Sequence, residues 1–227
     1  MKRITLYLIL VTSLFIAGRT KAEPSYDAQR LVELSLLSFE RFLKERQEET
    51  FRKLVSNSKG VFICPELMRG AFVFGVSGGN GVFLVWDDKE KNYIGPAFYT
   101  LGGLSFGLQA GGSISEVLLL FMTQRGLSAM LATNVKIGLD LGIAIGPKGG
   151  GAKAGSANLS ADVLAYYTSK GLFGGLSLDG GVIKVRGDLN RAYYGREVTP
   201  IDILVTKAVR KDDSKRFTNV VKGIKGQ

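Results

Sequence analysis

The chain contains no histidine, and cysteine occurs only once among its 227 residues, as Cys64. Without histidine, Ser-His-Asp and Cys-His nucleophilic mechanisms and histidine-ligated metal sites are excluded. A single cysteine excludes intramolecular disulfides and CxxC motifs, and its place in the apolar run 61–64 favours a buried small side chain over a reactive thiol. The spacing of Asp140, Asp162 and Asp179 does not indicate a carboxylate-only active site. We therefore predict that the protein is not an enzyme and carries neither a metal nor a cofactor.

Proline is scarce, with five residues, whereas glycine is abundant, with 30, of which 26 fall between Gly70 and Gly195. These glycines show no Gly-X-Y period, which excludes collagen, and they are interleaved with Val, Leu, Ile and Phe, which argues against disorder. No G-x-x-x-x-G-K-S/T motif is present, so the glycine clusters do not indicate a nucleotide site. The remaining interpretation is a glycine-rich β structure.

The formal net charge of +10 is concentrated at the two ends of the chain. Residues 1–22 carry +4 and residues 203–227 carry +5, while the middle has 19 basic and 18 acidic residues. The body is therefore not a generally basic platform, and we predict no nucleic-acid partner. Attraction to other polyanions is expected to come from local patches, above all the C-terminal segment.

The first 22 residues have the layout of a secretory signal peptide. Lys2 and Arg3 precede the mainly apolar run 4–17, and Ala22 provides a small residue at the expected cleavage site. The apolar run is shorter than the roughly 20 residues that a spanning helix needs, although an uncleaved N-terminal anchor is the alternative. The segment predicts an exported protein, periplasmic or secreted, that can associate peripherally with a membrane.

An amphipathic helix is predicted over residues 27–56, because Val32, Leu36, Phe39 and Leu43 recur on one face. That face is expected to pack on the protein core, and docking on a membrane surface is the alternative.

A second helix is predicted near the C terminus, where Thr199 is a suitable N-cap and Pro200 a suitable first helical residue. Its apolar face is expected to extend to Val209. The last residues, 206–227, combine lysine and arginine with apolar residues such as Phe217, which predicts a basic amphipathic tail.

Short apolar segments alternate with turn signals between these helices. Asn80-Gly81 predicts a hairpin turn within 71–86, residues 136–146 alternate like one strand, and Ser169 to Gly171 predict a further turn. A short helix is expected over 123–131. Many short strands with tight turns favour a closed or strongly curled antiparallel sheet.

A series of short motifs resembles the SYLF-domain family in content and order. They include Ser58-Lys59-Gly60-Val61, Gly70-Ala71-Phe72, Pro96-Ala97-Phe98-Tyr99, Phe106-Gly107-Leu108-Gln109, Ser169-Lys170-Gly171-Leu172-Phe173 and the segment 190–195. The resemblance covers roughly residues 31–205 and is that of an exported bacterial member. It implies a compact β-rich, lipid-binding domain without catalytic residues. Eukaryotic relatives are associated with phosphoinositides and, in some members, with actin filaments; export removes that context and leaves anionic phospholipid as the implied ligand.

Together these observations predict an α+β domain with a glycine-rich, curled antiparallel β-sheet or barrel-like core, a long N-terminal amphipathic helix and a C-terminal helix. The signal peptide is expected over 1–22, the SYLF-like domain over 23–205 with its β-rich core at 60–195, and the basic tail over 206–227.

The predicted function is non-catalytic binding of anionic phospholipid at a bacterial envelope membrane. The alternative is a protein-interaction or envelope-structural module, with a protein partner and without specific lipid recognition. The candidate lipid-binding residues are basic residues at predicted turns, strand ends and in the tail: Lys59, Lys148, Lys153, Lys170, Arg191, Lys207, Arg210, Lys211, Lys215 and Arg216.

Overall fold

The computed structural model describes residues 24–46, 49–71, 74–106, 111–146, 161–171, 178 and 180–225. In chain order, the elements are α1 Pro24–Glu45, α2 Glu49–Asn57, β1 Gly60–Ala71, β2 Phe74–Asp87, β3 Asn92–Phe106, β4 Gly111–Phe121, α3 Gln124–Ala129, β5 Asn134–Lys136, β6 Ile143–Ile145, β7 Val163–Gly171, β8 Val182–Val185, α4 Gly187–Tyr194, α5 Pro200–Leu204 and α6 Asp213–Lys225.

The strands form one curled, half-barrel sheet in the order β5-β8-β3-β2-β1-β4-β7-β6. Neighbouring strands are antiparallel except β6 and β7, which run parallel. The predicted α+β fold, with a curled sheet, an N-terminal helix and a C-terminal helix, is confirmed. The single parallel pair is a departure from the antiparallel sheet that the sequence predicted.

Both faces of the central part of the sheet are buried. On the face that we call the helix face, residues such as Ile63 and Leu118 pack against α1, α2, α4 and α6. On the opposite face, Phe62 and Leu119 pack with residues from β5, α5 and the region of α3. Because consecutive strand residues point to opposite faces, burial on both sides explains why these strands are apolar without a clear alternation.

The helix predicted over 27–56 is present as two helices, α1 and α2. The predicted stripe of Val32, Leu36, Phe39 and Leu43 is buried, with no member more than 7% exposed. The stripe belongs to the core cluster on the helix face of the sheet. The interpretation that this face packs on the core is therefore confirmed, and the face is not available to a membrane in this fold.

The hairpin turn predicted at Asn80-Gly81 is wrong, because both residues lie inside β2. A Cβ atom on Gly81 would come within 2.4 Å of the carbonyl oxygen of Ile63, and one on Gly79 would come equally close to that of Glu66. The glycines therefore allow β2 to pass close to β1, beside the irregular register of β1 between Ile63 and Met68. Here glycine marks a close approach of two backbones rather than a turn.

Two further strand predictions are wrong. Residues 136–146 do not form one strand: a turn that begins at Gly138, with φ of +91°, separates β5 from β6. The carboxylate of Asp140 closes that turn by accepting a hydrogen bond of 2.7 Å from the backbone nitrogen of Lys136. Ser169 to Gly171 do not form a turn either, because they continue β7 along β4.

The helix predicted over 123–131 is confirmed as α3, with Thr123 as its N-cap. Thr199 and Asp202 form a capping box at the start of α5, as the sequence indicated. The apolar face does not reach Val209 in helical form, because α5 ends at Leu204. Lys207 then takes a positive φ of 55°, which a helix does not accommodate.

A basic surface around the β2–β3 turn

The C-terminal residues form a docked helix and not a free tail. Phe217 and Val221 of α6 are at most 1% exposed and belong to the core of the helix face. The ring of Phe217 lies 6.2 Å from that of Phe39 in α1. The hydroxyl of Thr218 accepts a 2.8 Å hydrogen bond from the backbone nitrogen of Tyr93, at the outer edge of β3. Any ligand of this segment therefore meets a folded surface.

Two cations ahead of α6 are neutralised by the turn between β2 and β3. Lys207 bonds to Asp87 and lies 2.7 Å from a carboxylate oxygen of Glu90. Arg210 donates two hydrogen bonds, of 2.7 and 2.8 Å, to the same Glu90 carboxylate. The hydrogen bond from Lys207 lowers the pKa of Asp87 to about 2, and those from Arg210 and Lys207 lower the pKa of Glu90 to about 2. These predicted lipid-binding cations therefore hold the C-terminal segment against the sheet.

Three more predicted cations have partners within the chain. Lys215 lies 2.7 Å from a carboxylate oxygen of Asp212. Arg216 forms a bidentate ion pair with Glu33 of α1. The Nζ of Lys211 lies 5.2 Å from the ring centroid of Tyr193. Lys211 is thus held over an aromatic ring rather than beside a carboxylate, and its charge is not neutralised.

Of the remaining predicted residues, Arg191 forms a 3.0 Å ion pair with Glu197. Lys170 belongs to β7, where its backbone lies opposite Ile114. Lys148 and Lys153 lie outside the described residues. The structure therefore does not gather all ten predicted cations into one site.

A basic surface is nevertheless present around the β2–β3 turn. We define it by its charged residues, which come from the junction between α2 and β1, the turn and the C-terminal segment: Lys59, Lys89, Lys91, Lys207, Arg210, Lys211, Lys215 and Lys222, with Asp87, Asp88, Glu90, Asp212 and Asp213. Eight basic residues against five acidic ones leave this surface with a net charge of +3.

Four lysines account for the excess charge. Lys59, Lys89, Lys211 and Lys222 are exposed, and none forms an ion pair with another residue in the described part of the chain. Lys59 is placed by its carbonyl oxygen, which accepts a 2.8 Å hydrogen bond from the backbone nitrogen of Trp86, one residue before Asp87. Reasoning from the sequence missed Lys89 and Lys222. The charged stretch 87–92 was the signal for Lys89, while nothing local predicts that α6 brings Lys222 to the same place.

The nitrogen of Lys222 lies 3.5 Å from the side-chain oxygen of Asn92, the first residue of β3. Asn92 and Lys211 also line a polar cavity of about 160 Å³ between the start of β3 and the residues before α6. Glu90, Asp212, Arg210 and Lys215 contribute charged groups to the same cavity. The arrangement offers ammonium groups beside a recess large enough for a phosphate-sized group.

Of the three aspartates whose spacing did not indicate an active site, the two that the structure describes have structural roles. Asp140 closes a turn, Asp179 lies outside the described residues, and Asp162 is buried beside Arg125. Within the described ranges, no group of three His, Cys, Asp or Glu residues is placed to hold a metal ion. In the same part of the chain, no helix combines the length and apolar character that crossing a bilayer requires.

Asp162 gives a prediction on acid stability. Hydrogen bonding to Arg125, opposed by burial and assisted by Thr123 and the backbone of Gly142, lowers the pKa of Asp162 to about 2. A carboxyl group whose pKa is lower in the folded state stabilises the fold above its unfolded pKa, and this contribution, about 2 kcal/mol, is lost as the pH falls from about 4 to about 2. Asp162→Asn is therefore expected to destabilise the domain at pH 7 and to flatten its stability over that range.

Urea unfolding at a series of pH values tests this prediction. The exposed Asp140 provides the matched variant, Asp140→Asn, which is expected to lower the stability at pH 7 less than Asp162→Asn does, because it removes a charge from a solvated site. An equal loss of unfolding free energy at pH 7 in the two variants would contradict the stabilising role of the Asp162 carboxylate.

Comparison with known proteins identifies the family. Residues 102–224 match the Ysc84 family, described as "Las17-binding protein actin regulator". The "SH3 domain-containing YSC84-like protein 1" of Bos taurus is 28% identical over 165 residues, which are 70% of this chain and 48% of the relative. An "SH3 domain-containing protein" of Schizosaccharomyces pombe is 30% identical over 67% of this chain and 36% of the relative.

The "LAS seventeen-binding protein 3" of Saccharomyces cerevisiae is 29% identical over 66% of this chain and 33% of the relative. The chain thus spans about half or less of the length of these curated relatives. The family match covers more than half of the chain, and it includes β4, β7 and the C-terminal helices as far as residue 224. The chain therefore belongs to the Ysc84, or SYLF-domain, family.

Proposed function

We propose that this chain is a non-catalytic module that binds anionic phospholipid at the surface of a bacterial envelope membrane. The N-terminal sequence supports export, because Lys2 and Arg3 precede the apolar run 4–17. The lipid part is supported by the SYLF resemblance and by the basic surface. In such a membrane, phosphatidylglycerol and cardiolipin would provide the anionic phosphates.

The observation that carries the proposal is the gathering of Lys59, Lys89, Lys211 and Lys222 around one turn. Each lysine held at an anionic bilayer contributes about 1 kcal/mol, so these four contribute about 4 kcal/mol together. Ion pairs and the buried face of α6 fix the backbone that carries them. A preorganised surface loses less conformational entropy on binding than a flexible tail does.

Vesicle co-sedimentation tests the proposal on the chain from Glu23 onward, which contains every described helix and strand. Binding is expected to vesicles that contain phosphatidylglycerol or cardiolipin and not to neutral phosphatidylcholine vesicles. Salt should weaken binding, because the Debye length shortens to about 8 Å at physiological ionic strength. The triple variant Lys89→Gln/Lys211→Gln/Lys222→Gln is expected to bind about 100-fold more weakly, since three contributions of about 1 kcal/mol are lost.

The matched control is the triple variant Lys44→Gln/Lys136→Gln/Lys184→Gln. These lysines are also exposed, and their replacement changes the net charge equally. The control is expected to bind within about threefold of the wild type, because it leaves the basic surface intact. An equal loss in both variants would mean that net charge alone matters. A wild-type chain that binds no vesicle would refute the proposal and favour the protein-interaction alternative.

A further inference from the structure

Exposed apolar side chains gather at the end of the sheet remote from the basic surface. We call this group the distal apolar surface; its members, with their exposed fractions, are Leu37 (51%), Met68 (59%), Val76 (59%) and Ile114 (49%). The first is in α1, and the others are in β1, β2 and β4. Soluble proteins rarely expose large apolar side chains in a contiguous group, and such groups mark contacts with partners or membranes.

The strand register shows that these side chains are neighbours on one face. Met68 and Ile114 are directly paired, and Gly70, two residues beyond Met68, is paired with Val76. All three apolar side chains therefore point to the same side of the sheet. Leu37 and Ile114 line one cavity of about 250 Å³ beneath α1, which places the surface on the helix face.

Glycines leave the space between these apolar side chains open. A Cβ atom on Gly70 or Gly78 would meet no other atom within 4 Å, so neither glycine is required by packing. Gly78 is paired with Met68, and Gly70 is paired with Gly112 as well as with Val76. The apolar side chains thus stand on an open sheet surface with no other side chain between them at positions 70 and 78.

The charge at this end has one sign. The described strand residues beyond the core include Arg69 and no acidic residue; they are 67–71, 74–78, 102–106, 111–115 and 168–171. The sequence at 72–73, 107–110 and 172–177, which follows or precedes these strand ends, also contains no Asp or Glu. The nearest acidic residues lie at the border, where Glu116 is bonded to Arg41 and Glu66 lines the same cavity.

We propose that the distal apolar surface inserts into the interfacial region of an anionic bilayer, as a second membrane contact separate from the basic surface. This inference rests on the proposed function. Apolar side chains gain free energy when they leave water for the acyl boundary, and an anionic headgroup layer suits strand ends that carry no carboxylate beyond the border at Glu66 and Glu116. The eight residues 60–67 of β1 lie between Lys59 and Met68, a distance of roughly 26 Å, so each surface can be altered without changing the other.

A fluorescent label on Met68→Cys tests insertion directly. Cys64 is fully buried, and burial raises the pKa of its thiol to about 12, so an environment-sensitive thiol reagent labels the introduced cysteine selectively. With vesicles that contain phosphatidylglycerol, the label at position 68 is expected to shift to the blue and to be quenched by brominated acyl chains. A label on Ser128→Cys, exposed on α3, serves as the control and is expected to show neither change.

The outcomes separate this inference from the proposed function. Co-sedimentation without a spectral shift at position 68 would overturn insertion and leave lipid binding by the basic surface standing. Failure to sediment with any vesicle would refute the proposed function and the inference with it. A shift that needs no vesicles and grows with protein concentration would also overturn the inference, because a second copy of the chain would then cover the surface.

A pair of substitutions at one position provides a second, label-free test. Gly70→Leu adds an apolar side chain where nothing obstructs it, and Gly70→Asp adds a charge in the same space. The leucine variant is expected to bind anionic vesicles roughly tenfold more tightly, and the aspartate variant more weakly than the wild type. Unchanged binding in both folded variants would contradict insertion at this surface.

Discussion

Gly81→Ala is expected to lower the free energy of unfolding by about 3 kcal/mol, at the upper end of the cost of overpacking a core. The added methyl group would lie 2.4 Å from the carbonyl oxygen of Ile63 and 2.6 Å from the ring of Phe62. Rotation of one side chain cannot relieve the first contact, because a backbone atom makes it. The ring of Phe62 is fully buried and has no space into which to move. The strands β1 and β2 would therefore have to separate at the centre of the sheet.

Urea unfolding measures this effect as a lower midpoint at an unchanged slope. Gly70→Ala is the matched control, since it makes the same chemical change in the same pair of strands. There the methyl group meets nothing within 4 Å, and stability is expected to stay equal or to rise by up to about 1 kcal/mol. A Gly81→Ala protein as stable as the control would show that the two backbones are not held at the distance described.

The contrast between these two glycines shows which features of the fold can be predicted from the sequence and which cannot. The local pattern Asn80-Gly81 predicts a turn, because this dipeptide is favoured in tight hairpins. In the structure, however, Gly81 is needed for the close approach of β2 to Ile63 of β1, almost 20 residues earlier in the chain. By contrast, the helix stripe from Val32 to Leu43 and the Thr199 cap were predictable. Their signals are periodicity and capping, which act within a few residues.

The same distinction, between local signals and contacts between residues distant in the sequence, applies to the basic surface. The excess of charge near the C terminus was visible in composition, but no local pattern predicted that Asp87 and Glu90 would form ion pairs with Lys207 and Arg210. These pairs join residues about 120 positions apart. Lys222 likewise reaches Asn92 only because α6 docks along the start of β3. Net charge predicts a region, whereas long-range pairing decides which of its cations are available to a ligand.

Shortening the chain to end at Lys207 is expected to unfold much of the domain. The deletion removes Phe217 and Val221 from the core, and losing a buried phenylalanine side chain alone costs about 3–5 kcal/mol. It also removes the hydroxyl of Thr218, which leaves the buried backbone nitrogen of Tyr93 without its acceptor. Because a domain has only about 5–15 kcal/mol of stability, we expect the melting temperature to fall by more than about 10 °C.

Thermal unfolding monitored by circular dichroism tests this expectation, and a chain that ends at Lys222 is the matched control. The control keeps Phe217, Thr218 and Val221 and is expected to melt within about 3 °C of the uncut chain, since the residues of α6 that are described as buried all remain. A chain ending at Lys207 that melts near the wild-type temperature would mean that α6 is dispensable to the core. The expected result also bears on the lipid proposal. A truncated chain with an exposed core would adsorb to vesicles through apolar surface, so truncation cannot locate the binding site, whereas charge substitutions on an intact α6 can.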